Sequence, residues 1–196
     1  MEYTSPDPAV FFHIRVIIGV VTGLAITRLL NGLASLVSSP ERERAYGVHI
    51  AWALLLLLMI VHFWWFQFSL GQVSQWTFET YTFLIFYAAL HFFAAAVLFP
   101  DRSAAPDDFE KYFHDYRPWF YGLLITLLAV DIVDTALKGM DHFQSLGIEY
   151  LIRQGVLIVL ALCAIPIADR RYHVAFVAFA FAVEIWWIAS RYYVLG

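Results

Sequence analysis

Charged residues are scarce in this chain. Only 14% of its 196 residues are Asp, Glu, Lys or Arg, whereas 62% are hydrophobic. A soluble domain carries about 25% charged and 45 to 50% apolar residues, and the surface of so small a protein cannot hide the excess. A water-soluble fold is therefore effectively excluded. The formal net charge of −4 also gives no basic surface with which to bind nucleic acid.

Cysteine is nearly absent, since Cys163 is the only one. An internal disulfide, a zinc cysteine motif and a redox pair each need at least two, so the chain can form none of them. Residues 1–8 contain no Lys or Arg, which is the wrong charge for a cleavable signal peptide, so we expect the first helix to be retained. Nucleotide-binding glycine loops, G-x-S-x-G and HExxH are also missing. The sequence thus predicts no cofactor and no metal.

Long apolar runs are what the sequence has in abundance. A helix needs about 20 mostly apolar residues to cross ~30 Å of hydrocarbon. Six such runs lie between polar breaks, at residues 10–37, 48–70, 78–99, 119–138, 148–167 and 172–191. They are too long and continuous for the alternating strands of a membrane β-barrel. We therefore predict an all-α fold in one domain, a polytopic integral membrane protein with a bundle of six transmembrane helices.

Basic residues are shared unevenly among the five connections. The second and fourth connections hold at most Lys138. The first, third and fifth contain Arg42, Arg44, Arg102, Lys111, Arg117, Arg170 and Arg171. Because positive charge marks the cytoplasmic side, we expect a bacterial inner-membrane protein with both termini outside. In the long third connection, we expect residues 107–113 to form a short amphipathic turn at the interface.

Small and polar residues recur every four positions along the first helix. Gly19 and Gly23 form a GxxxG pair, and Thr27 and Asn31 continue the stripe. Such a stripe lets another helix approach closely, so we predict helix packing at Gly19, Gly23 and Thr27. Lining a polar pathway is the alternative. Arg28 lies deep on the neighbouring face and must either extend to the inner interface or find an acid or a carbonyl.

Carboxylates inside the predicted spans give the strongest functional signal, because a short side chain cannot reach the membrane surface. Asp131 and Asp134 share one face of the fourth predicted span. Counted at about 1.5 Å per residue from Trp119, both lie in its outer half. The competing interpretation is an ion-paired helix end, since Lys138 follows Asp134 by four residues. Glu184 lies near the middle of the sixth span, where it is either paired or protonated.

One arginine and two histidines lie deep enough to join these acids or to form a second group. Arg153 is at the level of the acids, although Glu149, four residues before it, can simply neutralise it. His62 falls in the outer half and His91 in the inner half, roughly 9 Å apart along the membrane normal. This separation argues against a haem held by both. A hydrogen-bonded place in the core is the default interpretation for each histidine, and a proton relay is the alternative.

The intramembrane polar residues thus predict two levels in the bundle. The outer level is a candidate ion-binding or solute-binding group of Asp131, Asp134, Arg153, Glu184 and His62. The inner level is a smaller polar group of Arg28, Asn31 and His91. We predict a protein that handles ions, protons or a small polar solute through an outer-half cavity, as a channel or transporter subunit.

Two other functions are compatible with the sequence. Aromatic residues make up 18% of the chain, and with the small-residue face of the first helix they suit a non-catalytic sensor, scaffold or accessory subunit. Less favoured is an intramembrane lipid-modifying enzyme, in which Asp131, Asp134 and His62 would act as acid, base or metal ligands. The expected partners are the lipid bilayer and either a second copy of the chain or another membrane protein, with no nucleic acid.

Overall fold

A computed structural model describes residues 8–38, 45–72, 76–100, 106 and 108–191. Over these residues the chain forms α1 (Pro8–Ser38), α2 (Gly47–Phe66), α3 (Phe78–Leu98), α4 (Phe109–Leu137), α5 (Met140–Ser145), α6 (Gly147–Ala164) and α7 (Arg170–Arg191). A 3-10 helix at Gln67–Gln72 extends α2. All of the α-helices except the short α5 are long and apolar enough to cross a membrane. The expectation of an all-helical chain with six long apolar helices is confirmed.

The fourth long helix is the one whose predicted boundary was wrong. Instead of starting near residue 119, α4 starts at Phe109, because the Asp108 carboxylate accepts hydrogen bonds from two backbone N–H groups of the first turn, at 2.8 and 3.1 Å. The turn expected over residues 107–113 is, from Phe109 onward, the beginning of this helix. Pro118, which suggested a boundary, lies inside it. The other predicted ends agree with the helices to within four residues.

The six long helices run alternately up and down, as their short connections require. We call the end with the α2–α3 and α4–α6 connections the upper end, and the opposite end the lower end. The parallel helices α2 and α7 meet through Trp52 and Phe176 in the lower half and through His62 and Glu184 in the upper half. Among the described residues, α1 packs only on α2, α3 and the 3-10 helix. The other five long helices therefore enclose the centre of the bundle.

Aromatic rings fill the lower half of that centre. The buried Trp52 ring on α2 makes edge contacts with Phe120 and Tyr121 on α4 and with Phe176 on α7, at centroid distances of 5.1 to 5.6 Å. Edge-to-face pairs add roughly 0.5 to 1.5 kcal/mol each beyond the burial of their area. This packing holds α2, α4 and α7 together below the polar residues.

The glycine stripe of α1 packs less completely than predicted. A Cβ on Gly19 would lie 3.0 Å from the ring of Trp64, so close packing occurs there. A Cβ on Gly23 would meet nothing within 4 Å, and Thr27 is exposed. Four residues turn a helix by more than a full turn, so a four-residue stripe drifts off the buried face. The tighter contact is at Gly32, where a Cβ would overlap the ring of Phe99.

Candidate functional site

A cavity lies in the upper half of the bundle, between α2, α3, α4, α6 and α7. Its volume is about 40 Å³, which is room for about three water molecules. The polar side chains that line it are His62, Tyr87, His91, Asp131, Tyr150, Arg153, Gln154 and Glu184. The apolar ones are Met59, Phe63, Phe66, Leu127, Leu128 and Trp187. Four of the five residues in the predicted outer group therefore line one cavity, and Asp134 does not.

Asp131 on α4 is held by neutral hydrogen-bond donors. The hydroxyl of Tyr87 on α3 donates to Oδ1 at 2.9 Å, and the hydroxyl of Tyr150 on α6 donates to Oδ2 at 2.7 Å. The side-chain amide of Gln154, one helical turn further along α6, also donates to Oδ2. No ion pair joins Asp131 to a Lys, Arg or His among the described residues. Its negative charge is therefore solvated by dipoles and not neutralised.

Glu184 on α7, by contrast, has a cationic partner. Arg153 on α6 donates to its Oε2, and Nδ1 of His62 on α2 lies 2.7 Å from its Oε1. The Arg153 side chain is only 8% exposed, and its Nε has no hydrogen-bond partner in the described part of the chain. Glu149, the expected neutraliser of Arg153, pairs with Arg191 at 2.9 Å instead. The Arg153 charge is thus matched to Glu184.

Gln154 connects the two carboxylates of the cavity. Its amide nitrogen donates to Asp131, and its Oε1 lies 3.5 Å from Nη1 of Arg153, which in turn holds Glu184. The network crosses the bundle from α4 through α6 to α7, and His62 extends it to α2. It contains two carboxylates and one guanidinium. Arg153 and His62 both contact Glu184, so Asp131 is the carboxylate of the cavity that has no cationic partner in the described chain.

Asp134 belongs to a separate and fully buried ion pair. Its Oδ2 lies 2.5 Å from Nζ of Lys138, both side chains are 0% exposed, and Nζ lies 3.4 Å from the centroid of the Phe66 ring. Three residues along a helix leave two side chains only about 60° apart, so Asp134 lies close to the face of Asp131, but it is paired with Lys138 and does not line the cavity. Lys138 also acts on His142 in the neighbouring α5. Burial is the larger cause that lowers the pKa of the His142 imidazole, and the positive charge of Lys138 is the smaller one. His142 is therefore neutral at pH 7.

The predicted inner group does not assemble. Arg28 donates from Nε to the carbonyl of Phe99 at 2.7 Å, and Asn31 is exposed. His91 lines the upper cavity, where its ring stacks on Phe63 at 4.7 Å. A depth difference of roughly 9 Å is less than two helical turns, so one cavity reaches both His62 and His91. The sequence analysis assigned His62 and His91 to different groups because it counted their depths in the membrane separately along α2 and α3.

Three of the residues that hold the site were not predicted. Tyr87, Tyr150 and Gln154 are uncharged, and inside apolar spans such side chains resemble ordinary packing residues. One sequence signal was available, because Tyr150 and Gln154 are four residues apart and therefore share a helix face. Their common target, Asp131, is on another helix, so the pattern alone does not identify it.

Comparison with protein-family models, with curated proteins and with solved structures gives no match for this chain. Its function must therefore be argued from the site itself. Within the described ranges, no three His, Cys, Asp or Glu side chains are grouped as metal ligands. His62 is held by Glu184 and Asp134 by Lys138. The cluster expected for a metal-dependent enzyme, Asp131 with Asp134 and His62, is not brought together.

Proposed function

We propose that this chain is a multi-pass membrane protein that binds a small ion or polar solute in the upper cavity, as a channel, a transporter or a subunit of one. The observation that carries the proposal is the setting of Asp131, which lines a cavity, accepts three neutral hydrogen bonds and has no ion-pair partner in the described chain. A carboxylate with an uncompensated charge in an apolar bundle is a site for a proton or a cation.

The proposed membrane environment is supported by the outer surface of the bundle. Large apolar side chains are exposed on its long helices, among them Val20, Phe86, Val159 and Trp186. Water disfavours such a surface, whereas hydrocarbon solvates it. The exposed Arg170 and Arg171 lie at the lower end. By the positive-inside rule, we propose a bacterial inner membrane with the lower end in the cytoplasm and both termini outside.

A structural explanation of the cavity accounts less well for its polar residues. Moving a charged side chain into a bilayer costs at least about 2.5 kcal/mol, and well-packed apolar residues often stabilise a core as well as a buried ion pair does. Here five helices contribute polar groups to one cavity. A binding role gives a reason for retaining so many costly groups in one place.

The proposal is tested by flux measurements on the purified protein in liposomes. Uptake of protons, Na⁺, K⁺ and small organic cations is followed for the wild type, for Asp131→Asn and for Glu79→Gln, which removes an exposed carboxylate as a matched control. We expect Asp131→Asn to lower the flux by about tenfold or more, equivalent to at least about 1.4 kcal/mol, and the control to leave it unchanged. The proposal is contradicted if the uptake of every probe equals the uptake into empty liposomes, or if the Asp131→Asn variant is as active as the wild type.

A second candidate function is that of an accessory subunit in a larger membrane complex. It is favoured by the outward face of α1, where Gly23 has open space beside it and Thr27 and Asn31 are exposed. Small and polar residues of this kind let another helix pack closely. Purification in a mild detergent distinguishes the two functions. A stoichiometric partner, together with no flux through the isolated chain, favours the accessory role.

A further inference from the structure

We infer that the ligand of the upper cavity is a small organic ammonium cation of about the size of methylammonium. This inference rests on the proposed function and specifies its substrate class. Three properties of the cavity carry it: the sign of its charge, the aromatic character of its wall, and its size. A fourth observation, the way the protein buries one of its own ammonium groups, agrees with it.

The charge of the cavity selects a cation. Arg153 is matched by Glu184, and Asp131 has only neutral donors. Its Oδ1 accepts one described hydrogen bond, from the Tyr87 hydroxyl, and a carboxylate oxygen can accept two. The hydroxyl oxygen of Tyr87 can itself accept a bond. An N–H group of a ligand therefore has acceptors available beside Asp131.

The wall of the cavity favours an organic cation over a metal cation. Five aromatic side chains line it, namely Phe63, Phe66, Tyr87, Tyr150 and Trp187. Two of these rings already contact cations of the protein, since Lys138 lies over Phe66, and Arg153 and Arg191 lie over Trp187. Aromatic faces attract ammonium groups by about 0.5 to 2 kcal/mol each. A dehydrated K⁺ is instead held by rings of backbone carbonyl oxygens, and helix carbonyls are already bonded within their own helices. The wall therefore suits a cation that carries N–H and methyl groups.

The size of the cavity favours very small amines. A volume of about 40 Å³ is room for about three water molecules. Methylammonium has two non-hydrogen atoms and needs about the space of two waters. A tetramethylammonium ion, with five such atoms, would extend beyond it. The cavity therefore predicts selection by size as well as by charge.

The protein buries its own primary ammonium group in the same manner. Nζ of Lys138 is paired with a carboxylate oxygen of Asp134 and lies over the Phe66 ring, with no exposure to solvent. Phe66 also lines the cavity. One carboxylate and one aromatic face are thus sufficient in this bundle to hold a buried ammonium group. The cavity offers the same two kinds of partner, with more rings.

Binding is tested first with defined probes. Thermal unfolding of the detergent-purified wild type is followed with added methylammonium, tetramethylammonium, sodium or potassium chloride at equal ionic strength. We expect only methylammonium to raise the midpoint, because a ligand that binds the folded state stabilises it. Uptake of radiolabelled methylammonium into proteoliposomes is measured at about pH 6, where the amine is almost fully protonated. We expect Asp131→Asn to lower this uptake by about tenfold or more.

The role of the aromatic wall is tested at Trp187. This residue is 2% exposed, lines the cavity and has the guanidinium groups of Arg153 and Arg191 over its ring at 5.4 and 5.5 Å. Its neighbour Trp186 is 54% exposed and provides the matched control. We expect Trp187→Leu to weaken methylammonium binding by about two- to thirtyfold and Trp187→Phe to restore most of it. Trp186→Leu should bind like the wild type. Circular dichroism establishes that each variant is folded before binding is compared.

The outcomes separate this inference from the proposed function. Flux of protons, Na⁺ or K⁺ that depends on Asp131, without binding of methylammonium, overturns the inference and supports the broader function. Equal binding by folded Trp187→Leu and Trp187→Phe also overturns it, because the leucine has no aromatic face. If none of these probes shows Asp131-dependent binding or flux, both proposals fail.

Discussion

Two carboxylates on α4, three residues apart, have opposite environments. Asp134 is paired with a cation of its own helix and is completely buried. Asp131 is held by neutral groups of α3 and α6 and lies beside a cavity. The comparison shows that the kind of partner distinguishes a structural carboxylate from a candidate binding carboxylate. A cation neutralises the charge, whereas hydroxyl and amide dipoles leave it available to a ligand.

The largest expected effect comes from making the same substitution at both positions. Asp134→Asn leaves the Lys138 charge buried without its counter-ion, and breaking a buried ion pair costs about 3 to 5 kcal/mol. Asp131→Asn leaves no cation without its counter-ion, so we expect a loss of only about 1 kcal/mol. The free energy of unfolding in detergent, measured by denaturant titration, checks the difference. Equal losses of unfolding free energy for the two variants would show that the two carboxylates do not differ in their structural role.

A double substitution sharpens the structural half of the comparison. Replacing Asp134 by Leu and Lys138 by Met removes both charges at once and keeps apolar volume in their place. Since a buried ion pair and an apolar pair of similar volume are often equally stable, the double variant should recover most of the stability that Asp134→Asn loses. A double variant no more stable than Asp134→Asn would show that the pair does more than balance charge.

An intermediate effect is expected at Glu184. Glu184→Gln leaves the Arg153 guanidinium unmatched, but this side chain borders a cavity that can hold water, so we expect a cost of about 1 to 3 kcal/mol. Proteoliposome flux should also fall, because the cavity loses its charge balance and Arg153 repels cations. Denaturant titration and flux assays on the same preparation check both effects. Normal flux through the folded variant would place Glu184 outside the binding site.

The smallest effect is expected from the ion pair between Glu149 and Arg191. Glu149 is 58% exposed, and exposed pairs contribute at most about 1 kcal/mol because water and salt screen them. Glu149→Gln should therefore change neither stability nor flux measurably, and high salt should remove any residual difference. A loss of stability or flux as large as that of Glu184→Gln would contradict the expectation that the more buried carboxylate has the larger effect.

The helices could be predicted from the sequence because length and hydropathy are local properties. The start of α4 was missed because Pro118 suggested a break, although the cap at Asp108 lies ten residues earlier. A proline is a general signal for a helix boundary. A capping carboxylate is a weaker pattern in the sequence, and the structure shows that it determines where this helix begins.

Of the residues that form the site, only the charged ones could be predicted from the sequence. Arg153, Glu184 and Asp131 are conspicuous because charges are rare in apolar spans. Their grouping depends on which helices are neighbours, and a single sequence does not contain that information. Gln154 is the clearest example, since its role of connecting Asp131 to Arg153 exists only once α4 and α6 have packed.

Asp131, the carboxylate of the cavity that has no cationic partner among the described residues, sets a limit on valence. One univalent guest is enough to neutralise Asp131, so for the proposed site we expect one guest per chain. A divalent ion would leave a surplus positive charge among rings and methylene groups, where the electrostatic self-energy is high. Calcium and magnesium ions should therefore bind more weakly than a univalent cation, because one of their positive charges would stay uncompensated whatever their size.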